Sequence, residues 1–448
     1  MILEFSVGNF RSFEEIQTFS LVAADLPGEE LAETHVARIG NHRLLRCAAL
    51  YGANASGKSN LHMAMMTFSF LARDSSPRLQ EGDTIPVVPF ALRSRKDFGA
   101  SYFELVFLIE GRKYRYGFEA TPTKIESEWL FVQKSSRETT LFTRKGQEIS
   151  VNKKEFREGD GKEEATRSNA LFLSLVAQLN GKIAKKILAK LQTIKAISGL
   201  RDHGYAAYTA SCLFQKEHPH RAKVLEMLRR LDLSFEDVRV TEAASASDED
   251  VEGEIKVSLP SAQKTTELEV ELLHPVYDQK GKRIGDISLD LGVSASEGTR
   301  KLFGLIGPLV DALEKGLILW IDEMDARLHP LITRNLVALF NSPVTNPCNG
   351  QLIFNTHDSN LLTPRLLRRD QIWFAEKDRV GATNLYSLAE FRQDDGTLAR
   401  PNANFEDQYI QGRYGAVPFL GDFAALFASE EKQESCASDC EQEAVTSG

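Results

Sequence analysis

The sequence predicts an α/β fold built on a parallel sheet, and three segments carry that prediction. Gly52-Ala53-Asn54-Ala55-Ser56-Gly57-Lys58-Ser59 is a phosphate-binding loop set directly after the apolar run Cys47-Ala48-Ala49-Leu50-Tyr51. Leu317-Ile318-Leu319-Trp320-Ile321 is a second continuous apolar run and ends in Asp322-Glu323. A third, Gln351-Leu352-Ile353-Phe354, runs into Asn355-Thr356-His357-Asp358. Short unbroken apolar runs are what strands buried on both faces of a parallel sheet require.

Each residue type in the loop has a physical task. Gly52 and Gly57 let the backbone fold tightly enough for its N–H groups to face an anion. Lys58 reaches toward β- and γ-phosphates, and the Ser59 hydroxyl suits Mg²⁺. A helix opening at Ser59-Asn60-Leu61 aims its positive end at the same place. Gly52, Asn54, Ala55, Ser56, Gly57, Lys58, Ser59 and Asn60 are therefore the candidates for contact with ATP.

The acidic strand end supplies the complement. Asp322 is placed to hold Mg²⁺ with Ser59, and Glu323 to polarise an attacking water. Alone, an Asp-Glu after an apolar run is as well explained by an ordinary strand end; paired with the loop, it reads as the second half of one site. His357 follows the third strand, where open α/β sheets place ligand-contacting groups, so Lys58, Glu323 and His357 form the candidate catalytic set.

Ahead of the acidic strand lies Val293-Ser294-Ala295-Ser296-Glu297-Gly298-Thr299, then Leu302, Leu305, Ile306, Leu309, Val310 and Leu313 at helical spacing. The spacing predicts a helix that starts at Ser296. Small hydroxyl residues and a glycine there can form an anion site, but taken alone they read first as an ordinary helix cap.

Elsewhere the organisation is coarser. Tyr102 to Ile109 and Lys113 to Glu119 read as a hairpin turning at Glu110-Gly111-Arg112. Residues 165 to 240 read as helical, with Ile183, Ile187, Leu191 and Ile194 on one face and Lys182, Lys185, Lys186, Lys190 and Lys195 around the rest. That basic helix is the candidate contact for nucleic acid, against the plainer reading of a solvated face. Strands resume at Ile255 to Leu259 and Leu268 to Val276. The predicted units are an N-terminal half of the head over 1–164, an inserted helical lobe over 165–254 that ends in an acidic linker, a C-terminal half over 255–428, and a disordered acidic tail over 429–448.

Composition narrows the function classes. With 42% hydrophobic and 26% charged residues the 448-residue chain is of ordinary globular type. No apolar segment is long enough to cross a bilayer, and Glu4, Asn9, Arg11, Glu14 and Glu15 interrupt any signal-like start. Five scattered cysteines suggest neither a disulfide framework nor a zinc site, so a cytoplasmic protein is expected. The net charge of −9 is uneven: residues 242–254 carry six acids, and the tail carries six against Lys432, which leaves the remainder close to +2. A near-neutral body neither requires nor forbids nucleic acid.

The order of loop, serine-glycine helix start, acidic strand and histidine strand resembles that of ATP-binding-cassette heads. Gly57-Lys58-Ser59-Asn60 and the opening Val7-Gly8-Asn9-Phe10-Arg11-Ser12-Phe13 resemble the SMC/RecF branch. Within it, Arg115 to Phe118, Asn169 to Ser174, Asp325 to Pro330 and Gly412 to Ala416 resemble the RloA/AbiL-like ATPases of bacterial defence loci. The resemblance runs from Met1 to about Asp422. It implies an ABC-type P-loop NTPase head with an inserted helical lobe, and Arg11 near the nucleotide. It also implies an ATP-linked dimer in which Ser296 and Gly298 of one subunit complete the γ-phosphate site of the other. A separately encoded effector, of RloB-like kind, is the implied partner. Ser296-Glu297-Gly298-Thr299 departs from the usual Ser-Gly-Gly-Gln, and His329-Pro330 stands where many heads carry a second Asp; defence-type relatives share both. Two alternatives stay open: a RecF-like DNA-binding ATPase of recombination and repair, and an OLD-like nuclease. The latter would need an Asp-X-Asp pattern, which Asp394-Asp395 does not supply.

Overall fold

Continuous apolar strands and alternating ones build different sheets in this chain. The computed structural model describes residues 1–418 apart from 28–30, 94–97, 135–136, 200–202, 232–234, 243–256, 262–263, 393–396 and 402. The unbroken apolar runs form the centre of a six-stranded sheet ordered Ile194–Ser198, Ile318–Asp322, Gln351–Asn355, Cys47–Tyr51, Ile372–Lys377 and Thr383–Ser387. The first five are parallel and the last is antiparallel. Every residue of Cys47–Tyr51 and of Gln351–Asn355 is buried, as covering on both faces demands.

Alternating strands make the second sheet, seven-stranded and antiparallel: Glu148–Val151, Glu138–Lys145, Ile125–Gln133, Arg112–Ala120, Ser101–Ile109, Ile2–Gly8 and Gln17–Ser20. The hairpin read from the sequence is its centre, Ile109 pairing with Arg112 across Glu110-Gly111. Between the two sheets lies the helix Lys58–Arg78. Its Leu61, Ala64, Met65, Phe68 and Leu71 join one core with Phe5 and Phe118 of the antiparallel sheet and Trp320 of the parallel one.

The opposite face of the parallel sheet is covered by Glu297–Lys315 and Pro330–Asn341, through Leu305, Leu309, Leu336 and Phe340. Glu297–Lys315 has a second apolar face, where Phe303, Ile306 and Val310 pack against the helices His203–Phe214 and Arg221–Arg230 and a four-stranded antiparallel sheet. That sheet consists of Asp237–Glu242, Val257–Ser261, Lys264–Tyr277 and Arg283–Asp290.

The helical reading of 165–240 is corrected at two places. The helix Lys182–Gln192 stops short of Ile194, and Ile194–Ser198 is instead the edge strand of the parallel sheet. Asp237–Glu242 is likewise a strand. Ile194 keeps a helical register with Ile187 and Leu191 in the sequence, but a ladder to Ile318–Asp322 satisfies its backbone, and that tertiary pairing overrides the local pattern. The five lysines are consequently dispersed: Lys186 pairs with Glu110 at 2.6 Å, Lys190 lies against the Met1 amino group, and Lys195 sits on the strand. Of the acidic stretch over 242–254, Glu242 ends the strand Asp237–Glu242, while 243–254 and the tail over 429–448 fall outside the described residues. Met1–Ala416 form one unit, and Val417–Gly448 are grouped apart from it.

Candidate functional site

Parallel pairing brings the carboxyl ends of three strands to one rim of the sheet: Tyr51, Asp322 and Asn355, with the histidine strand between the other two. Open α/β sheets bind ligands at this rim.

The loop rises from Tyr51 through two positions that only glycine fills. Gly52 has φ 153° and Gly57 φ 115°. A Cβ on Gly52 would lie 2.4 Å from Ala375 O, and one on Gly57 would lie 2.2 Å from Thr383 Oγ1. Asn54 and Ala55 form the exposed tip, Ala55 with φ 61°. Ser56 is buried and its hydroxyl has no partner among the described residues. No side chain caps the helix that follows, so its first-turn N–H groups face the loop unspent, which is the arrangement that receives phosphate.

Lys58 is buried, and its ammonium donates to Gly52 O at 2.7 Å and Ala53 O at 3.0 Å. Burial pushes its pKa down to about 8, while Asp322, Asp325 and Glu323 pull it back up. Ser59 Oγ donates to Asp322 Oδ1 at 3.2 Å, and Asn355 Nδ2 donates to the same oxygen. Asp322 is thus gripped from the loop helix and from the neighbouring strand.

Glu323 leaves the strand with φ 54°, and Lys301 Nζ donates to its carbonyl at 3.1 Å and to that of Ala326. Asp325 Oδ2 accepts from the His357 main-chain N–H at 3.2 Å. The His357 imidazole is held below its ordinary pKa by desolvation first and by Lys58 second, with Asp325, Glu323 and Asp322 opposing. It is neutral at pH 7 and able to accept or donate one hydrogen bond.

Lys58, Ser59, Asp322, Glu323 and His357 therefore share one neighbourhood. Three other candidates do not join it directly. Ser296 is exposed and caps the helix Glu297–Lys315, accepting from Thr299 N at 3.2 Å. Gly298 lies against the segment that follows Glu323, where a Cβ would meet Arg327 O at 2.7 Å. Arg11 is exposed, with φ 52°, and its guanidinium lies 5.7 Å from the Phe10 ring centre. Its neighbour Ser12 makes the contact instead: Ser12 Oγ accepts from Asn60 Nδ2 and shares a hydrogen bond with Thr383 Oγ1, each at 2.8 Å.

Besides Ser12, sequence reading missed four supports. Asn355 orients Asp322, and its Oδ1 is buried without a partner among the described residues. Asp325 ties the histidine segment to the acidic one. Thr383 clamps the loop by donating to Ser56 O at 2.8 Å. Tyr409 reaches the Gly52 backbone from the last described helix, Phe405–Ile410. Asn355 had a signal, a polar side chain directly after a buried apolar run.

The donor set suits magnesium. Ser59 and Asp322 offer hard oxygens, and no cluster of three or more His, Cys, Asp or Glu able to hold a metal exists among the described residues. Mg²⁺ commonly takes one or two protein oxygens and completes its shell with phosphates and water.

Residues 47–363 match the family described as "AAA domain, putative AbiEii toxin, Type IV TA system". No curated protein matches the chain significantly. Among solved structures, the SMC head domain from Thermotoga maritima is 15% identical with a TM-score of 0.39, over 86% of this chain and 98% of that one. The Smc head domain with a coiled coil and joint from Pyrococcus yayanosii is 10% identical with a TM-score of 0.38, over 86% and 96%. The fold is α/β with a phosphate-binding loop at the sheet rim, and the chain belongs to the AAA-domain family, whose match spans its loop, acidic strand and histidine strand.

Proposed function

With that family membership as the premise, we propose that the protein binds and hydrolyses ATP with Mg²⁺ at this loop and uses the cycle to control a separately encoded effector in antiphage defence. The observation that carries the reading is the grip on Asp322 by Ser59 and Asn355, beneath an uncapped helix that begins at a buried lysine.

In this reading the loop N–H groups and Lys58 bind the β- and γ-phosphates. Ser59 and Asp322 hold the metal, and Asn355 fixes the Asp322 carboxylate. Magnesium supplies charge neutralisation on the phosphate oxygens. Glu323 orients the attacking water, and His357 offers a neutral ring to the same water or the terminal phosphate. Ser296 is exposed and does not join its own loop site; in this reading it gives up its cap to Thr299 to serve the loop of a second copy. Hydrolysis then depends on pairing, and Glu323→Gln with ATP accumulates a dimer that bulk at Gly298 prevents.

In this reading the ATP cycle is a signal and the final act falls to the partner; the RloA/AbiL-like features support an RloB-like one. Phage plating on cells with each gene alone, both genes, and both with Lys58→Ala tests this. Protection by the intact pair alone is expected. Protection by the ATPase alone, or by the pair with Lys58→Ala, overturns it.

A further inference from the structure

Among the described strands, the parallel sheet ends at Ile194–Ser198, beside the site. Ile194–Ser198 pairs with the acidic strand on one side, and no described strand lies on the other. Ile318 N donates to Thr193 O, and Gly199 N donates to Asp322 O. A parallel ladder alternates, so Lys195 and Ile197 turn their main-chain groups inward while Ile194, Ala196 and Ser198 turn theirs out. Tyr205 Oη takes the Ser198 carbonyl at 2.8 Å. The outward N–H and C=O groups of Ile194 and Ala196 have no partner among the described residues.

A cavity of about 700 Å³ follows this edge. Met65, Met66 and Phe70 of the phosphate-loop helix form one wall, and Tyr205, Tyr208 and Pro308 form the other. Met66 is 43% exposed there. The rim is cationic. Arg73, Arg78 and Lys195 line it against two carboxylates: Asp74, which both arginines share, and Asp311, which pairs with Lys315 at 2.6 Å. Burial first, then repulsion from Arg73 and Lys315, works against the Lys195 charge, while Asp311 supports it.

We propose that this edge is the docking slot for an extended acidic segment of a partner protein, which adds to Ile194–Ser198 as a seventh strand between the methionine and tyrosine walls. An open row of main-chain groups selects an extended peptide, and the under-compensated cations select carboxylates on it. The slot reports on the ATP site directly. A Cβ on Gly199 would lie 2.2 Å from Glu323 O and 2.6 Å from Asp322 O, so displacement of this strand moves the carboxylates that face the loop. That coupling rests on the proposed ATPase function; the docking itself does not.

The test uses a displayed library of random twelve-residue peptides selected on the full-length protein, then synthetic copies of the recovered peptides titrated with and without ATP. Ala196→Pro removes an outward N–H at an edge position that tolerates proline, and Lys195→Glu with Arg78→Glu reverses the rim without touching the backbone. The recovered peptides should alternate apolar and acidic residues, lose about tenfold or more in affinity for each variant, fail when N-methylated at alternate amides, and protect residues 194–198 from hydrogen exchange. Failure to enrich any peptide, or binding indifferent to both variants, overturns the proposal. A dimer of the unmodified protein that Ala196→Pro dissolves assigns the edge to a second copy and also overturns it. Peptide binding without any ATP hydrolysis by the unmodified protein would refute the ATPase reading and leave the slot standing.

Discussion

The two helices that frame the site begin in opposite ways. Lys58–Arg78 starts at a left-handed glycine with no side-chain cap and a buried lysine in its first turn. Glu297–Lys315 starts at Ser296, exposed, in extended backbone, with its hydroxyl already taken by Thr299 N–H. The first leaves its donors for a ligand, whereas the second meets part of that need itself. Similar vocabulary in sequence, small residues and a glycine ahead of an apolar helix, thus covers one start that leaves its donors open to an anion and one that must give up its own cap to bind one.

The largest effect that separates them is at Lys58. Lys58→Ala should weaken ATP binding by about a hundredfold or more, because it deletes the charged donor on the phosphates; calorimetric titration reads it. An affinity near that of the unmodified protein would erase the distinction between the helices. Asn355→Ala should come next, slowing turnover by about tenfold and raising the Mg²⁺ requirement, since Asp322 loses a donor that orients it. A magnesium titration of the steady-state rate checks this, and an unchanged magnesium dependence would remove Asn355 from the site.

The pH dependence sharpens the comparison further. In the proposed function the Lys58 ammonium binds phosphate, and burial holds its pKa down to about 8. ATP affinity should be flat below pH 8 and fall above it, by up to about tenfold per pH unit, because binding then takes up a proton. Flat affinity from pH 7 to pH 9.5 would mean that the ammonium is not the group engaged. The smallest effect belongs to the capped helix. Ser296→Ala should cost about 1 kcal/mol of stability through the lost cap, read by denaturant unfolding, and should also abolish ATP-dependent pairing if the second-copy role holds. Loss of stability with pairing intact would leave Ser296 as a cap alone.

How much of this was legible in the sequence follows from contiguity. The loop, Asp322-Glu323 and the His357 turn are each unbroken segments at the ends of apolar runs, so strand, chemistry and position could be read together. Ser12 and Thr383 could not, because nothing local marks them: they meet Asn60 and Ser56 only after the N-terminal hairpin and the last strand of the parallel sheet fold onto the loop. Ile194–Ser198 was misread as helix because Ile187, Leu191 and Ile194 keep helical spacing. Its true partner, Ile318–Asp322, lies far along the chain and leaves no trace in local pattern.

The central claim is that binding and hydrolysis are divided between the loop and the acidic strand end. Nucleotide titration and single-turnover ATP hydrolysis, run side by side on the unmodified protein, Lys58→Ala and Glu323→Gln, test it most directly. The account predicts that the unmodified protein binds and hydrolyses, that Lys58→Ala does neither, and that Glu323→Gln keeps its affinity while turnover falls by about a hundredfold or more. Equal loss of binding in both variants, or full hydrolysis by Glu323→Gln, would contradict it.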